Sequence, residues 1–342
     1  MRNILLQFGF YEKDCIVTSF GSGLINSTWQ VESKNEKYIL QRINNNIFKK
    51  PEDIAFNIGM IGDYLKNHFP AYLFVTPLKT IDGNVLVETE EGYFRMFPFV
   101  EDSHTINVVE SPAQAYEAAK QFGRFSKLLS GFEASELKIT LPDFHNLTLR
   151  YQQFEDAMQN GDKERIKQSQ DLIYFIRQQK NITDEFEFCK KELKIRCTHH
   201  DTKISNVLFD SADKGLCVID LDTLMPGYFI SDLGDMMRTY LCPVSEEEKD
   251  FSKIKVRKEF YDAIMDGYLS EMGGELSEAE KKYFHYAGKF MIYMQALRFL
   301  TDHINNDIYY GAKYEGHNFV RAGNQLTLLQ RLQEMAKNYR SF

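Results

Sequence analysis

The stretch Cys197-Thr198-His199-His200-Asp201-Thr202-Lys203-Ile204-Ser205-Asn206 holds the spacing H-x-D-x-K-x-x-N, and Val218-Ile219-Asp220-Leu221-Asp222 follows it. Two β-rich segments, Asn206–Phe209 and Leu216–Ile219, flank the turn Asp210-Ser211-Ala212-Asp213-Lys214-Gly215. The predicted context is therefore a polar loop, a strand, a turn and a second strand that ends at Asp220. Phosphoryl transfer asks for few protein groups. One carboxylate orients the attacking hydroxyl and accepts its proton, oxygen atoms hold Mg²⁺, and a cation meets the charge on the transferring group. Asp201 is the candidate base, Asn206 and Asp220 are candidate Mg²⁺ ligands, and Lys203 is the candidate cation. His199 is read as bracing the loop. H-x-D-x4-N alone arises by chance in roughly a few per cent of chains of this length. The added lysine and the downstream aspartate on an apolar strand lower that to well below about one per cent. The bland alternative is a solvated loop before an acidic turn. Another takes His199, His200 and Asp201 as transition-metal ligands, although adjacent histidines rarely converge on one ion.

The chain around this stretch has 342 residues, enough for about two domains. With 43 % apolar and 26 % charged residues it is a globular composition, which excludes disordered and fibrous classes. The net charge of −8 argues against general nucleic-acid binding. No membrane segment is expected: the most apolar late run, 290–300, is short and carries Gln295 and Arg298. No signal peptide is read at the N-terminus. The five cysteines are odd in number and form no C-x-x-C, which fits a reduced cytoplasmic setting with buried structural thiols.

The first hundred residues read as a β-meander. Strands are expected over Cys15–Phe20, Ser27–Val31 and Lys37–Ile43, with the Gly turn Gly21-Ser22-Gly23-Leu24-Ile25-Asn26 between the first two. Pro51 suits the first position of a helix with apolar spacing at Ile54, Ile58, Ile61 and Leu65. Two more strands, Asn84–Thr89 and Tyr93–Phe97, lead into the connector Phe97-Pro98-Phe99-Val100-Glu101. Thereafter the texture is helical: from Pro112 with Ser111 as N-cap, over about 148–192, and from Ser231 onward. The expected boundary separates residues 1–99 from 100–342.

These motifs resemble the aminoglycoside phosphotransferase and choline kinase superfamily, and the likeness spans almost the whole chain. It implies an α+β, bilobal protein-kinase-like fold with a small β-rich N-lobe that binds nucleotide and a large, mainly helical C-lobe. The Gly turn, here Gly21, Gly23 and Asn26, would lie over the phosphates of ATP, and Phe99 in the connector would lie at the adenine. Kinases of this type carry a third-strand lysine. Here that strand reads Tyr38-Ile39-Leu40-Gln41-Arg42, so Arg42 or Gln41 would stand in its place. Glu52 and Asp53 are the helix carboxylates available as partners, or serve only the helix dipole.

Within the superfamily the chain most resembles N-acetylhexosamine 1-kinases. The residues that carry this are 39–44, Ile219-Asp220-Leu221-Asp222-Thr223-Leu224-Met225-Pro226-Gly227, Asp232-Leu233-Gly234-Asp235 and Leu297-Arg298-Phe299-Leu300-Thr301-Asp302 with Asp307-Ile308-Tyr309. The resemblance implies ATP as donor, Mg²⁺ as cofactor and a sugar acceptor, with neither nucleic acid nor membrane as partner. Asp222, Arg298 and Tyr309 would bind the sugar, while Asp232 and Asp235 would tie a helix N-terminus to the loop. The plain alternatives are a surface pair of Arg298 with Asp302, four residues on, and core packing for Tyr309. Competing acceptors are choline, homoserine, methylthioribose or an aminoglycoside. The absent third-strand lysine also admits a catalytically inactive binding protein of kinase fold. No D-F-G or A-P-E follows Asp220, which disfavours protein phosphorylation.

Overall fold

The computed structural model describes residues 1–21 and 25–338, so Gly23 lies outside the described residues. Helix α1 (Arg2–Gln7) precedes strands β1 (Cys15–Ser19), β2 (Ser27–Ser33) and β3 (Glu36–Ile43). Helix α2 (Pro51–His68) is followed by β4 (Val87–Thr89) and β5 (Gly92–Pro98). Helices α3 (Pro112–Leu128), α4 (Leu147–Asn160), α5 (Lys163–Gln168), α6 (Gln170–Gln178) and α7 (Asn181–Glu192) come next. Short strands β6 (Arg196–Thr198), β7 (Val207–Phe209), β8 (Gly215–Val218) and β9 (Met225–Gly227) then lead to α8 (Phe229–Tyr240). Helices α9 (Lys258–Met272), α10 (Glu278–Lys281), α11 (Phe284–Ile304) and α12 (His317–Asn338) complete the order. The architecture is α+β. Two compact units are present: residues 1–104 with 131–142 and 208–226, and residues 105–130 with 143–207 and the chain from Gly227.

The first unit is built on an antiparallel sheet of order β1-β2-β3-β5-β4. Lys34 and Asn35 both have positive φ, as the two-residue turn joining β2 to β3 demands. Val31, Leu40, Val87, Phe94 and Met96 form the sheet's buried face with Ile4, Leu5 and Phe8 from the N-terminal segment. Gln41 on β3 stands directly opposite Arg95 on β5. Helix α2 starts at Pro51 and buries Ile54, Ile58, Ile61 and Leu65; each such side chain contributes about 1.5–3 kcal/mol. Asn57 shares that face and is wholly buried. Its Nδ2 donates to the carbonyls of Lys138 (2.9 Å) and Leu224 (2.8 Å), and its Oδ1 accepts from Lys138 N–H (2.8 Å). One amide thus fastens both later segments of the unit to α2, with its own buried donor and acceptor both satisfied.

Two strand expectations are corrected. Residues 84–86 are not strand, because Thr80 and Asn84 close a loop through backbone and hydroxyl bonds of 2.7 and 3.0 Å. The strand expected from Asn206 starts one residue later: Ile204–Asn206 is a tight helical turn closed by Asn206 N–H on the carbonyl of Lys203.

The second unit is mainly helical. Ser111 Oγ accepts Gln114 N–H at 3.2 Å and starts α3. Helices α3 and α9 approach closely because each offers a glycine. A Cβ at Gly123 would lie 2.9 Å from the carbonyl of Tyr268, and Gly267 faces the backbone of Tyr116 in the same way. Helix α11 is buried on nearly all sides, with Tyr286, Phe290, Tyr293, Leu297 and Leu300 in the core. Cys189, Cys197 and Cys217 are buried free thiols, and Cys15 and Cys242 are half-buried. Burial pushes Cys189 and Cys217 up to about 12, which keeps them unreactive thiols. No helix among the described residues is long and apolar enough to cross a membrane.

Candidate active site

The loop that carries Asp201 is held by α8. Asp232, in the first turn of that helix, accepts His199 N–H on Oδ2 (3.1 Å) and His200 N–H on Oδ1 (2.7 Å). Its backbone carbonyl accepts the Thr202 hydroxyl at 2.7 Å. Asp235 accepts Thr202 N–H on Oδ2 (2.9 Å) and binds Arg238 through Oδ1 (3.0 Å). The Tyr240 hydroxyl donates to the carbonyl of Thr202 at 2.6 Å. Helix α8 therefore meets four backbone groups of residues 199–202. Burial raises Asp232 to about 6 and raises Asp235, against the lowering by their donors. Burial also works against the charge of Arg238, but Asp235 and Glu246 outweigh it and make this guanidinium more basic than usual.

Within the loop, His199 is fully buried, packs edge-on against Phe122 at 5.2 Å between ring centres, and accepts Asp201 N–H on Nδ1 (3.3 Å). His200 takes a left-handed backbone (φ 67°) and faces His145, Nδ1 to Nδ1, at 3.3 Å. Burial, and then His200, hold His145 far below the ordinary histidine range, so His145 is neutral. The Asp201 side chain is one-quarter exposed, with Lys203 Nζ 3.0 Å from its Oδ2. Asn206 is buried and gives its Nδ2 to the carbonyl of Asp201 at 2.9 Å.

The first unit contributes a separate network. Asp220 is exposed, has φ 60° and opens a tight turn over Leu221–Thr223. For a non-glycine residue this left-handed backbone is uncommon and costs free energy, a feature that clusters at functional sites. Asp222, two residues on, is buried. Its Oδ1 is 2.5 Å from Arg95 Nη2, and its Oδ2 accepts Asn26 Nδ2 at 2.7 Å. Arg95 is also buried and chelates Gln41 Oε1 through Nε (3.1 Å) and Nη2 (2.9 Å). Asn26 Oδ1 in turn accepts Asn44 N–H at 3.0 Å. Gly21 has φ 76° and is exposed. Phe99 is half-buried, donates its N–H to Lys37 and meets Phe20 edge-on.

Arg42, expected in place of the third-strand lysine, is exposed and reaches Ser27 Oγ at 3.4 Å; the guanidinium buried against β3 is instead Arg95. Arg95 was legible as a charged residue inside the apolar run Tyr93-Phe94-Arg95-Met96-Phe97, though its partners were not. Asp222, expected at the substrate, has both oxygens engaged by Arg95 and Asn26.

Two further expectations concern Arg298 on α11 and Tyr309 beyond its end. Arg298 does not pair with Asp302. The latter accepts Tyr309 N–H (2.7 Å), Tyr310 N–H (2.9 Å) and Asn318 Nδ2 (3.1 Å). Arg298 instead reaches the Tyr309 hydroxyl at 3.3 Å and lies over the rings of Phe144, Tyr309 and Tyr310. Tyr309 is 71 % exposed, so it is not a core residue.

A family model described as "Phosphotransferase enzyme family" matches residues 16–276. The chain is similar over nearly its full length to solved structures of the kinase-like fold. One is a spectinomycin phosphotransferase in complex with ADP and spectinomycin (11 % identity, 97 % of each chain covered, TM-score 0.60). A second is a microcompartment-associated aminopropanol kinase (15 % identity, 98 % of this chain and 97 % of that one, TM-score 0.63). A third is the choline kinase of Cryptosporidium parvum Iowa II (13 % identity, 96 % and 92 %, TM-score 0.56). At these identities the likeness is one of fold.

Proposed function

Because the chain belongs to the phosphotransferase enzyme family, we propose that it transfers the γ-phosphoryl group of ATP to an alcohol of a small molecule, the anomeric hydroxyl of an N-acetylhexosamine. The observation that carries this reading is the Asp201 loop. Four of its backbone groups are held by Asp232, Asp235 and Tyr240, while the Asp201 carboxylate remains partly open to solvent. Such anchoring fixes the backbone beneath a carboxylate that stays accessible and has Lys203 as its ion-pair partner, which suits positioning of an acceptor hydroxyl. Asp201 orients that hydroxyl and accepts its proton at a carboxylate oxygen. Lys203, whose Nζ lies 3.0 Å from Asp201 Oδ2, brings a cation beside the transferring group.

Asn206 and Asp220 are the residues that would hold Mg²⁺. Both offer oxygen, the donor this hard cation takes, and Asn206 commits its Nδ2 to Asp201, which leaves Oδ1 as its ligand atom. A bound Mg²⁺ would supply neutralisation of the phosphate oxygens. In the first unit, the Arg95–Asp222–Asn26 network steadies the end of the Gly turn, the segment the superfamily uses for nucleotide. Asp222 therefore acts as a positioning residue in this reading, while Arg298 and Tyr309 face the acceptor. Arg150 and Arg298, which line the same cavity as Tyr309, disfavour the cationic acceptors choline and aminoglycoside.

Phosphorus NMR of the product formed from MgATP and N-acetylglucosamine or N-acetylgalactosamine tests the proposal. A new anomeric phosphate resonance is expected. ATP turnover with other alcohols but none with either hexosamine would overturn the acceptor assignment.

A further inference from the structure

The helical unit carries an open cavity of about 430 Å³ whose wall includes Arg150, Arg298, Thr301, Asp302, Tyr309 and Tyr310. Two guanidiniums share this wall without a counter-ion. Arg150, on α4, gives Nη1 to Gln153 Oε1 (3.0 Å) and Nη2 to the carbonyl of Asp143 (2.8 Å), and its Nε is buried with no partner. Arg298 reaches only neutral oxygens, at 3.4 Å (Gln295) and 3.3 Å (Tyr309), besides aromatic faces. Neither arginine has a carboxylate within 4.0 Å among the described residues. Asp302 is committed to Tyr309, Tyr310 and Asn318, and Asp156, also in the wall, is solvent-exposed. Burial, and next Arg298, hold Arg150 below the ordinary guanidinium value, so the two cations sense each other. From Arg298 a chain of ring contacts runs through Phe144 and His145 to the buried His200, the neighbour of Asp201.

Two guanidiniums that line one cavity with no carboxylate within 4.0 Å among the described residues are matched by a carboxylate or phosphate, which accepts from guanidinium in pairs. We propose that Arg150 and Arg298 together hold an anionic oxygen group on the small molecule that fills this cavity. The proposal rests on the kinase reading only for the identity of that molecule: in that reading, the acceptor is a hexosamine derivative carrying an acidic substituent. A free inorganic anion has the same recognition chemistry.

Titration calorimetry on the full chain at saturating MgADP distinguishes these sources, with N-acetylglucosamine 6-phosphate, N-acetylglucosamine and inorganic phosphate as probes. The sugar phosphate is expected to bind at least tenfold tighter than either other probe. Arg150→Gln should lower its affinity about tenfold and Arg150→Lys less, with N-acetylglucosamine affinity unchanged; Arg298→Gln should lower sugar-phosphate affinity at least as much, and N-acetylglucosamine affinity with it, because Arg298 also faces the acceptor. Phosphate binding as tightly as the sugar phosphate, with the same arginine dependence, would keep the anion site and overturn its placement on a sugar. Equal affinity of charged and neutral sugars, or indifference to both Gln variants with melting curves unchanged, would overturn the anion site. Because binding is read without turnover, a hexosamine that is bound but not phosphorylated would count against the kinase reading alone.

Discussion

Arg95 and Asp222 form an ion pair almost wholly removed from solvent, in which a β5 guanidinium braces a carboxylate two residues beyond Asp220. Removing one member of such a pair leaves an uncompensated buried charge, at a cost of about 3–5 kcal/mol. Arg95→Met should destabilise the protein by that order in urea unfolding, and Asp222→Leu likewise. The double variant should recover much of the loss. Additive single losses would show that the two side chains do not act as a pair.

Asp201→Asn keeps the shape of the side chain and removes the proton acceptor. Turnover should fall at least a hundredfold, while nucleotide affinity, read by fluorescence or calorimetry, changes less than about twofold. Near-normal turnover would take Asp201 out of the role of base.

The raised Asp232 sets a pH dependence with a definite sign. Burial lifts this carboxyl to about 6 in the folded protein, against an ordinary value near 4 in the unfolded chain. Between those values the folded state keeps a proton that the unfolded state has lost. Stability from this group is thus fully present below about pH 4 and disappears as pH rises through 6, up to about 3 kcal/mol. The difference in unfolding free energy between wild type and Asp232→Asn should fall over that window. Parallel stability profiles would refute the assignment. The variant should also be less stable throughout, since an amide has one acceptor oxygen for the two N–H groups of His199 and His200.

Gly227 has no room for a side chain. A Cβ there would overlap the imidazole of His200 and lie 3.1 Å from Thr198 Cβ. Overpacking of this kind costs about 1–3 kcal/mol, and the group that must yield adjoins Asp201. Gly227→Ala should therefore lower kcat more than it raises the KM for ATP. A variant with unchanged kcat and stability would show that His200 moves without consequence for the loop.

Local order along the chain was legible in the sequence because its causes are local. The stripe Ile54, Ile58, Ile61, Leu65 and the Ser111 cap specify helices through contacts a few residues apart, and the loop residues 199–206 stand out by spacing. Pairing across the chain was not legible. A lone arginine in strand β5 implies a partner without saying that it is Gln41 and Asp222, since that depends on strand register and on where residues 208–226 pack. The same holds for Asn57, whose value lies in two carbonyls distant in sequence, and for Arg150, which meets Arg298 only because α4 and α11 share one cavity. Hydrophobic periodicity and turn chemistry act over a few residues and are written in order. The partner of a buried polar group is chosen by the closure of the whole fold.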